Sequence, residues 1–203
     1  MKTGFRLHIG GAQKYLNVVP DLAVYAKGLS NGFPLSALAG KKHLMKQFED
    51  ESCFFSGSYA TEKASLNAAL KTLEILERDK VIEQNWKMGD ILKRGVRKII
   101  NKHNLHEFVN IVGFPPMTHF VMVDYKGFTV NEIRSFVQQE CVKRGVLFVG
   151  YHHICFAHRK KHIDRTLKVY DEVMSMLKQS LDDGSLRDKI EGKPISAFSV
   201  RSN

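Results

Sequence analysis

Lys27 is the residue whose type and position in this sequence most clearly permit covalent chemistry. It follows the short apolar run 22–26 and precedes Gly28, so a buried strand would end at this lysine. Burial would remove water from its side chain and favour the neutral, nucleophilic amine. Such an amine can form a Schiff base with an aldehyde cofactor, although a lysine at a strand end more often turns out to solvent.

Histidines and cysteines are the other residues with chemical potential. His152, His153, Cys155 and His158 could be drawn together as a metal cluster. Adjacent residues of a strand point to opposite faces, however, and no carboxylate stands nearby at ligand spacing. The three cysteines are widely spaced without a CxxC pair, which is typical of reduced thiols. We therefore predict no metal site.

A strand–loop–strand unit would position Lys27. Two apolar runs, 22–26 and 35–39, flank a loop that contains Gly32 and Pro34. Three helices are predicted to follow this unit. They cover residues 41–48, a segment beginning at Thr61 as N-cap and continuing to residue 76, and residues 82–100.

From residue 106 onward, the pattern predicts a small α+β unit. Its elements are strands at 108–112, 117–123 and 146–149, a helix at 130–141 ended by Gly145, and an amphipathic helix at 162–181. Residues 182–203 are polar with little periodicity, which is typical of a tail. We place a soft boundary between the two parts of the chain at residues 80–104.

Composition limits the class of protein. The 203 residues carry 31 basic and 21 acidic side chains, a formal net charge of +10. These charges are spread over predicted helix surfaces without interleaved aromatic residues, so a solvated surface is favoured over a nucleic-acid site. No apolar run approaches the roughly 20 residues that span a membrane, and the N-terminus lacks a secretory pattern. We expect a soluble, cytoplasmic protein.

Residues 20–40, PDLAVYAKGLSNGFPLSALAG, resemble the lysine segment of subgroup III aminotransferases, which depend on pyridoxal 5'-phosphate (PLP). The family pattern has Pro-Asp-Leu, a few apolar residues, the Schiff-base lysine, a glycine-rich loop, then Pro and a small-residue strand. Matched residue by residue, the family lysine falls on Lys27. The resemblance therefore implies that Lys27 binds PLP and is catalytic.

Three further segments carry the same resemblance. Residues 3–6, TGFR, match a family motif, and residues 54–62, FFSGSYATE, resemble the loop that places a threonine against the PLP phosphate of the neighbouring subunit. That threonine aligns with Ser58, which keeps the hydroxyl group and is therefore implied to bind the cofactor. Residues 145–153, followed by Ala157-His158, resemble the small domain of the glutamate-1-semialdehyde aminomutase branch.

The resemblance implies an α/β fold. Residues 1–80 would form the C-terminal portion of a fold-type-I PLP-binding large domain with a mostly parallel sheet. Residues 81–203 would form the connecting helix and a small C-terminal α+β domain. The family's aspartate against the pyridine nitrogen would fall two positions before Met1, and its phosphate-binding loop further upstream. We therefore expect this chain to represent the C-terminal half of such a protein.

The implied function is PLP-dependent amino-group transfer, as an aminotransferase or aminomutase, through the Lys27 Schiff base. Small-molecule amino donors and acceptors would be the substrates, and the chain would form a homodimer or pair with a longer subunit. Neither nucleic acid nor a membrane is expected as a partner. The alternative is a non-catalytic truncated paralogue that acts as an interaction or dimerisation module. Arg6 could bind a substrate carboxylate or anchor the chain to other protein, and the sequence leaves both roles open.

Overall fold

The chain divides into two compact units, residues 1–86 and residues 87–203. The computed structural model describes residues 3–50, 52–58 and 62–196. Among these residues, no helix is both long and apolar enough to cross a membrane.

The first unit contains a two-stranded antiparallel ribbon. Strand β1 (Leu22–Tyr25) pairs with β2 (Ala37–Gly40) from Leu22↔Gly40 to Tyr25↔Ala37, which confirms the predicted strand–loop–strand unit. Every residue of β2 is exposed. The helical elements of this unit are α1 (Gly11–Leu16), a 3-10 turn (Lys27–Leu29), α2 (Lys42–Met45), a second 3-10 turn (Lys46–Phe48) and α3 (Lys63–Arg78).

Glu62 is the N-cap of helix α3. Its carboxylate accepts hydrogen bonds from the backbone N–H groups of Ala64 (3.2 Å) and Ser65 (2.7 Å), which have no partner within the first helical turn. The prediction of Thr61 as the cap is therefore wrong by one residue, and Thr61 itself lies outside the described residues. The glutamate side chain is long enough to reach both N–H groups.

Helix α4 (Val81–Lys102) is amphipathic and runs from the first unit into the second. Within the second unit its buried side chains include Leu92, Val96 and Ile100, at spacings of four residues. They belong to one hydrophobic core shared with helices α5 (Val130–Lys143) and α6 (Lys160–Asp182). The predicted long helix and the predicted amphipathic helix are both confirmed.

The second unit also contains a three-stranded antiparallel sheet in the order β3 (Val109–Phe114), β4 (Met117–Met122), β5 (Tyr151–His153). Strands β3 and β4 form a hairpin whose turn is Pro115-Pro116. The backbone of this turn passes so close to α4 that a Cβ at Gly89 would lie 1.9 Å from the carbonyl oxygen of Pro115. Both sheets in the described part of the chain are antiparallel, whereas the resemblance predicted a contribution to a mostly parallel sheet.

The predicted strand at 146–149 is wrong. Phe148 is buried and Leu147 exposed, so the apolar pattern reflects packing against the core rather than strand pairing. Gly150, with a φ of +85°, turns the chain, and its carbonyl oxygen accepts the Phe120 N–H at 2.8 Å. Strand β5 begins only after this turn.

Residues 183–196 contact helix α5 instead of forming a solvated tail. Leu186 is fully buried, and the Arg187 guanidinium pairs with the Glu132 carboxylate at 2.5 Å. Further along, the Ile195 N–H donates to Ser135 Oγ at 2.7 Å. The expectation of an unstructured polar end is therefore wrong for these residues, because polar bonds hold them where apolar periodicity is lacking.

Candidate active site

Lys27 lies two positions after the end of the ribbon strand β1, as the first residue of the 3-10 turn Lys27–Leu29. Its side chain is exposed. The expectation that Lys27 ends a buried strand is therefore wrong for the described chain, because the ribbon itself is largely exposed. The amine is accessible to an incoming aldehyde.

The backbone of Lys27 adopts the left-handed conformation, with a φ of 55°. For a residue with a Cβ this region costs about 1–2 kcal/mol, and such residues cluster at functional sites. The Lys27 carbonyl oxygen accepts hydrogen bonds from the N–H groups of Ser30 and Asn31, the latter at 3.1 Å. The turn that follows the lysine therefore compensates for the unfavourable backbone conformation.

The N-terminal segment 3–7 lies beside β1 and the start of this turn. Phe5 packs on Tyr25 with ring centroids 5.6 Å apart, and a Cβ at Gly28 would lie 3.9 Å from the Gly4 carbonyl oxygen. The structure therefore brings together the TGFR motif and the lysine segment, although more than 20 positions separate Phe5 from Lys27. Neither periodicity nor spacing could have revealed this proximity. The only signal was that each motif separately resembled the same family.

Ser58 lines a cavity of about 600 Å³ next to the ribbon. Its walls include the apolar side chains of Val24, Phe48 and Phe55 and two further serines, Ser36 and Ser56. Lys27 is not among the lining residues, although Val24, three positions before it, is. The structure thus places Ser58 near β1 without placing it against Lys27. The predicted loop continues through residues 59–61, which lie outside the described residues.

The residues that could have formed a metal cluster do not come together as one. His152 and His153 lie on opposite faces of β5, as expected for neighbours in a strand. His158 Nδ1 accepts the Cys155 N–H at 3.0 Å and lies 3.3 Å from Cys155 Sγ. No group of three or more metal-ligating side chains is found within the described ranges.

His152 instead forms part of a hydrogen-bonded chain in the second unit. Its Nδ1 lies 2.8 Å from Thr118 Oγ1, and its Nε2 lies 2.8 Å from Tyr170 Oη. The pKa of His152 is lowered from 6.5 to about 4, mainly by burial and to a smaller extent by charge repulsion from His119. Burial also raises the pKa of the Tyr170 phenol. This histidine is a half-buried, neutral residue with a hydrogen-bonding partner at each ring nitrogen.

The chain belongs to the class-III aminotransferase family, whose profile matches residues 3–177. It is 29% identical over 183 residues to 3-aminobutyryl-CoA aminotransferase of Cloacimonas acidaminovorans, a match that covers 89% of this chain and 44% of that protein. It is 31% identical over 185 residues to glutamate-1-semialdehyde 2,1-aminomutase of Methanosphaera stadtmanae, covering 86% of this chain and 44% of that protein. The chain therefore spans less than half the length of these relatives.

Solved structures of transaminases share the fold. The FumI protein of Sphingopyxis sp. MTA144, in its PLP internal aldimine form, superposes with a TM-score of 0.77 at 25% identity, covering 88% of this chain and 42% of that one. A transaminase with PLP bound gives a TM-score of 0.78 at 16% identity, covering 89% and 44%. These structures confirm the fold-type-I architecture predicted from the sequence. The class-III aminotransferase family, together with the FumI structure, indicates PLP as the cofactor.

Side chains of the first unit suit this cofactor chemically. An exposed lysine amine can attach an aldehyde, and serine hydroxyls are donors that phosphate oxygens accept. The first unit offers Lys27 for attachment and the Ser58 hydroxyl on the wall of the cavity. Both residues are exposed.

Proposed function

We propose that the protein to which this chain belongs transfers amino groups with PLP, as an aminotransferase or an aminomutase, and that Lys27 is the residue that holds the cofactor. The observation that carries the proposal is the left-handed backbone of an exposed lysine at the position that the resemblance of residues 20–40 assigns to the family's Schiff-base lysine. Two relatives of this chain are named for 3-aminobutyryl-CoA and for glutamate-1-semialdehyde, so small amino donors and acceptors are the proposed substrates.

The chain's own residues would have separate roles. Lys27 Nζ would hold the cofactor, and its free amine would accept and return the proton at the substrate carbon. The Ser58 hydroxyl donates to a phosphate oxygen. When bound, PLP supplies the electron sink for this chemistry. We assign residues 1–80 to the PLP-binding large domain and residues 81–203 to the connecting helix and small domain, with a homodimer or a longer subunit as partner.

The decisive experiment is reduction with borohydride after incubation with PLP, followed by peptide mapping. We expect the phosphopyridoxyl label to accumulate on Lys27 in preference to the 20 other lysines of the chain. Lys27→Arg, which keeps the charge, should abolish the selective label. Scattered labelling that Lys27→Arg leaves unchanged would overturn the proposal.

Ser58 can be tested by the affinity for PLP. Ser58→Ala should weaken binding about ten- to hundredfold, the loss expected for one hydrogen bond to a charged group, worth about 1.5–3 kcal/mol. Ser56→Ala is the matched control, since Ser56 lines the same cavity but is not assigned to the phosphate. Equal effects of the two substitutions would remove Ser58 from the proposed site.

A second candidate is the non-catalytic interaction module. The observation that favours it is the exposure of large apolar side chains in the first unit, including Leu22, Val24, Phe54 and Phe55, with Phe54 90% exposed. This function predicts co-purification with a full-length class-III aminotransferase without any label on Lys27. Selective labelling of Lys27 in the chain alone would refute it.

A further inference from the structure

The loop that follows Lys27 is closed by two successive turns that share residues 30 and 31. In the first, the Lys27 carbonyl oxygen accepts the N–H groups of Ser30 and Asn31. In the second, Ser30 and Phe33 are joined twice: the Ser30 carbonyl oxygen accepts the Phe33 N–H at 3.3 Å, and Ser30 Oγ donates to the Phe33 carbonyl oxygen at 2.6 Å. Ser30 is therefore the residue that links the two turns.

The Ser30 side chain is fixed more firmly than its surroundings. Ser30 is only 1% exposed, whereas the loop residues 31–34 that follow it are exposed. The Phe33 carbonyl oxygen also accepts the Leu35 N–H at 3.0 Å, so both of its lone pairs are used. Removing the Ser30 hydroxyl would leave one lone pair of the Phe33 carbonyl oxygen without a donor from the protein. We expect this loss to weaken the second turn.

The conformation of this loop determines where the Lys27 amine points. A return of Lys27 from its φ of 55° to the right-handed region, near about −60°, would rotate the Cα–Cβ bond by roughly 115° about the N–Cα bond. On a side chain as long as lysine, such a rotation moves Nζ by several ångströms. The loop must resist this return, because the left-handed region is unfavourable for a residue with a Cβ.

We propose that Ser30 is a positioning residue for the amino-transfer reaction: its buried hydroxyl holds the 30–33 turn, and through that turn it keeps the Lys27 amine in the direction required for cofactor attachment. The inference rests on the proposed function of Lys27. It assigns to Ser30 a role in orientation and none in proton transfer, since no contact joins its hydroxyl to the Lys27 side chain among the described hydrogen bonds.

The test compares Ser30→Ala and Ser30→Thr with Ser180→Ala as a matched control. Ser180 is also 1% exposed, and its hydroxyl also donates to a backbone carbonyl, that of Met176 at 2.9 Å, but it lies in the other unit. Two quantities are measured in each variant: the hydrogen-exchange rate of the Asn31 amide, which needs no cofactor, and the share of phosphopyridoxyl label found on Lys27.

Ser30→Ala should speed exchange of the Asn31 amide about five- to tenfold and lower the share of label on Lys27 by a similar factor. Ser30→Thr, which keeps the hydroxyl, should restore both values, and Ser180→Ala should change neither. If circular dichroism shows that Ser30→Ala is unfolded, Ser30→Cys is used instead. The cysteine side chain is close to serine in volume, but its S–H group is only a weak hydrogen-bond donor.

Two results would overturn the proposal. One is an unchanged Asn31 exchange rate in the folded Ser30 variant, and the other is faster exchange with an unchanged share of label on Lys27. Failure of the proposed function is distinguishable from both, because the unsubstituted chain would then be labelled at random. In that case, Asn31 exchange alone decides whether Ser30 holds the Lys27 backbone.

Discussion

The half-buried His152 makes the stability of the second unit depend on pH. Burial lowers the pKa of this imidazole from 6.5 to about 4, so the unfolded chain binds its proton at a higher pH than the folded chain does. The free energy of unfolding should therefore be highest above pH 6.5, and the part of it that is linked to His152 should be lost as the pH falls towards 4. Each unit of pKa corresponds to about 1.4 kcal/mol, so the loss from this one group approaches 3.5 kcal/mol.

The hydrogen bonds of His152 do not account for this shift. Thr118 and Tyr170 each present a hydroxyl group, which can either donate or accept, so both partners satisfy the neutral imidazole and the protonated one alike. The energetic difference between the two forms lies in moving the charge out of water. Tyr170→Phe should therefore preserve most of the pH dependence, whereas His152→Gln should remove it.

Urea unfolding followed by circular dichroism, at a series of pH values between 7 and 4, measures this effect. The free energy of unfolding of the unsubstituted chain, minus that of His152→Gln, should fall by about 3 kcal/mol between pH 7 and pH 4, where the folded imidazole is half protonated. Parallel curves for the two proteins would refute the reasoning, as would an imidazole that titrates near 6.5 by NMR in the folded state.

Two further predictions concern packing and thiol reactivity. Gly89→Ala should destabilise the chain by about 3 kcal/mol, because the new Cβ meets the Pro115 backbone, whereas Gly95→Ala in the same helix meets only the flexible Leu167 side chain and should cost about 1 kcal/mol. Urea midpoints compare the two directly, and equal values would contradict the close approach of the turn. In thiol titration, two cysteines should react in the native protein. Cys141, buried and with its pKa raised to about 12 by burial, should react only after unfolding, so modification of all three under native conditions would exclude its burial.

Much of the fold could be predicted because apolar periodicity repeats over many residues. Helix α6 is an example: Ile163, Tyr170, Val173 and Leu177 recur every three, four or seven positions, and all are buried. The short segment 146–149 gave the same apolar signal as a strand. Four residues cannot distinguish sheet pairing from packing of a single side chain, here Phe148, against the core.

The contacts of residues 183–196 could not be predicted because they are polar and distant in sequence. Arg187 and its partner Glu132 are 55 positions apart, and Ile195 and Ser135 are 60 apart. At the candidate site, family resemblance was enough to indicate Lys27. Its left-handed backbone could not be predicted, since lysine has no preference for that region.

The exposed ribbon of the first unit has consequences for the solution behaviour of this chain. In the part of the chain that the structure describes, β1 and β2 form a sheet of their own, and the outer edge of β2, whose residues are all exposed, presents N–H and C=O groups to which another chain could add. The net charge of +10 opposes such self-association by mutual repulsion. Salt weakens that repulsion, because the screening length falls to about 10 Å at 0.1 M ionic strength. The isolated chain should therefore stay dispersed best in dilute, low-salt buffer, and added salt should drive it towards β-rich aggregates.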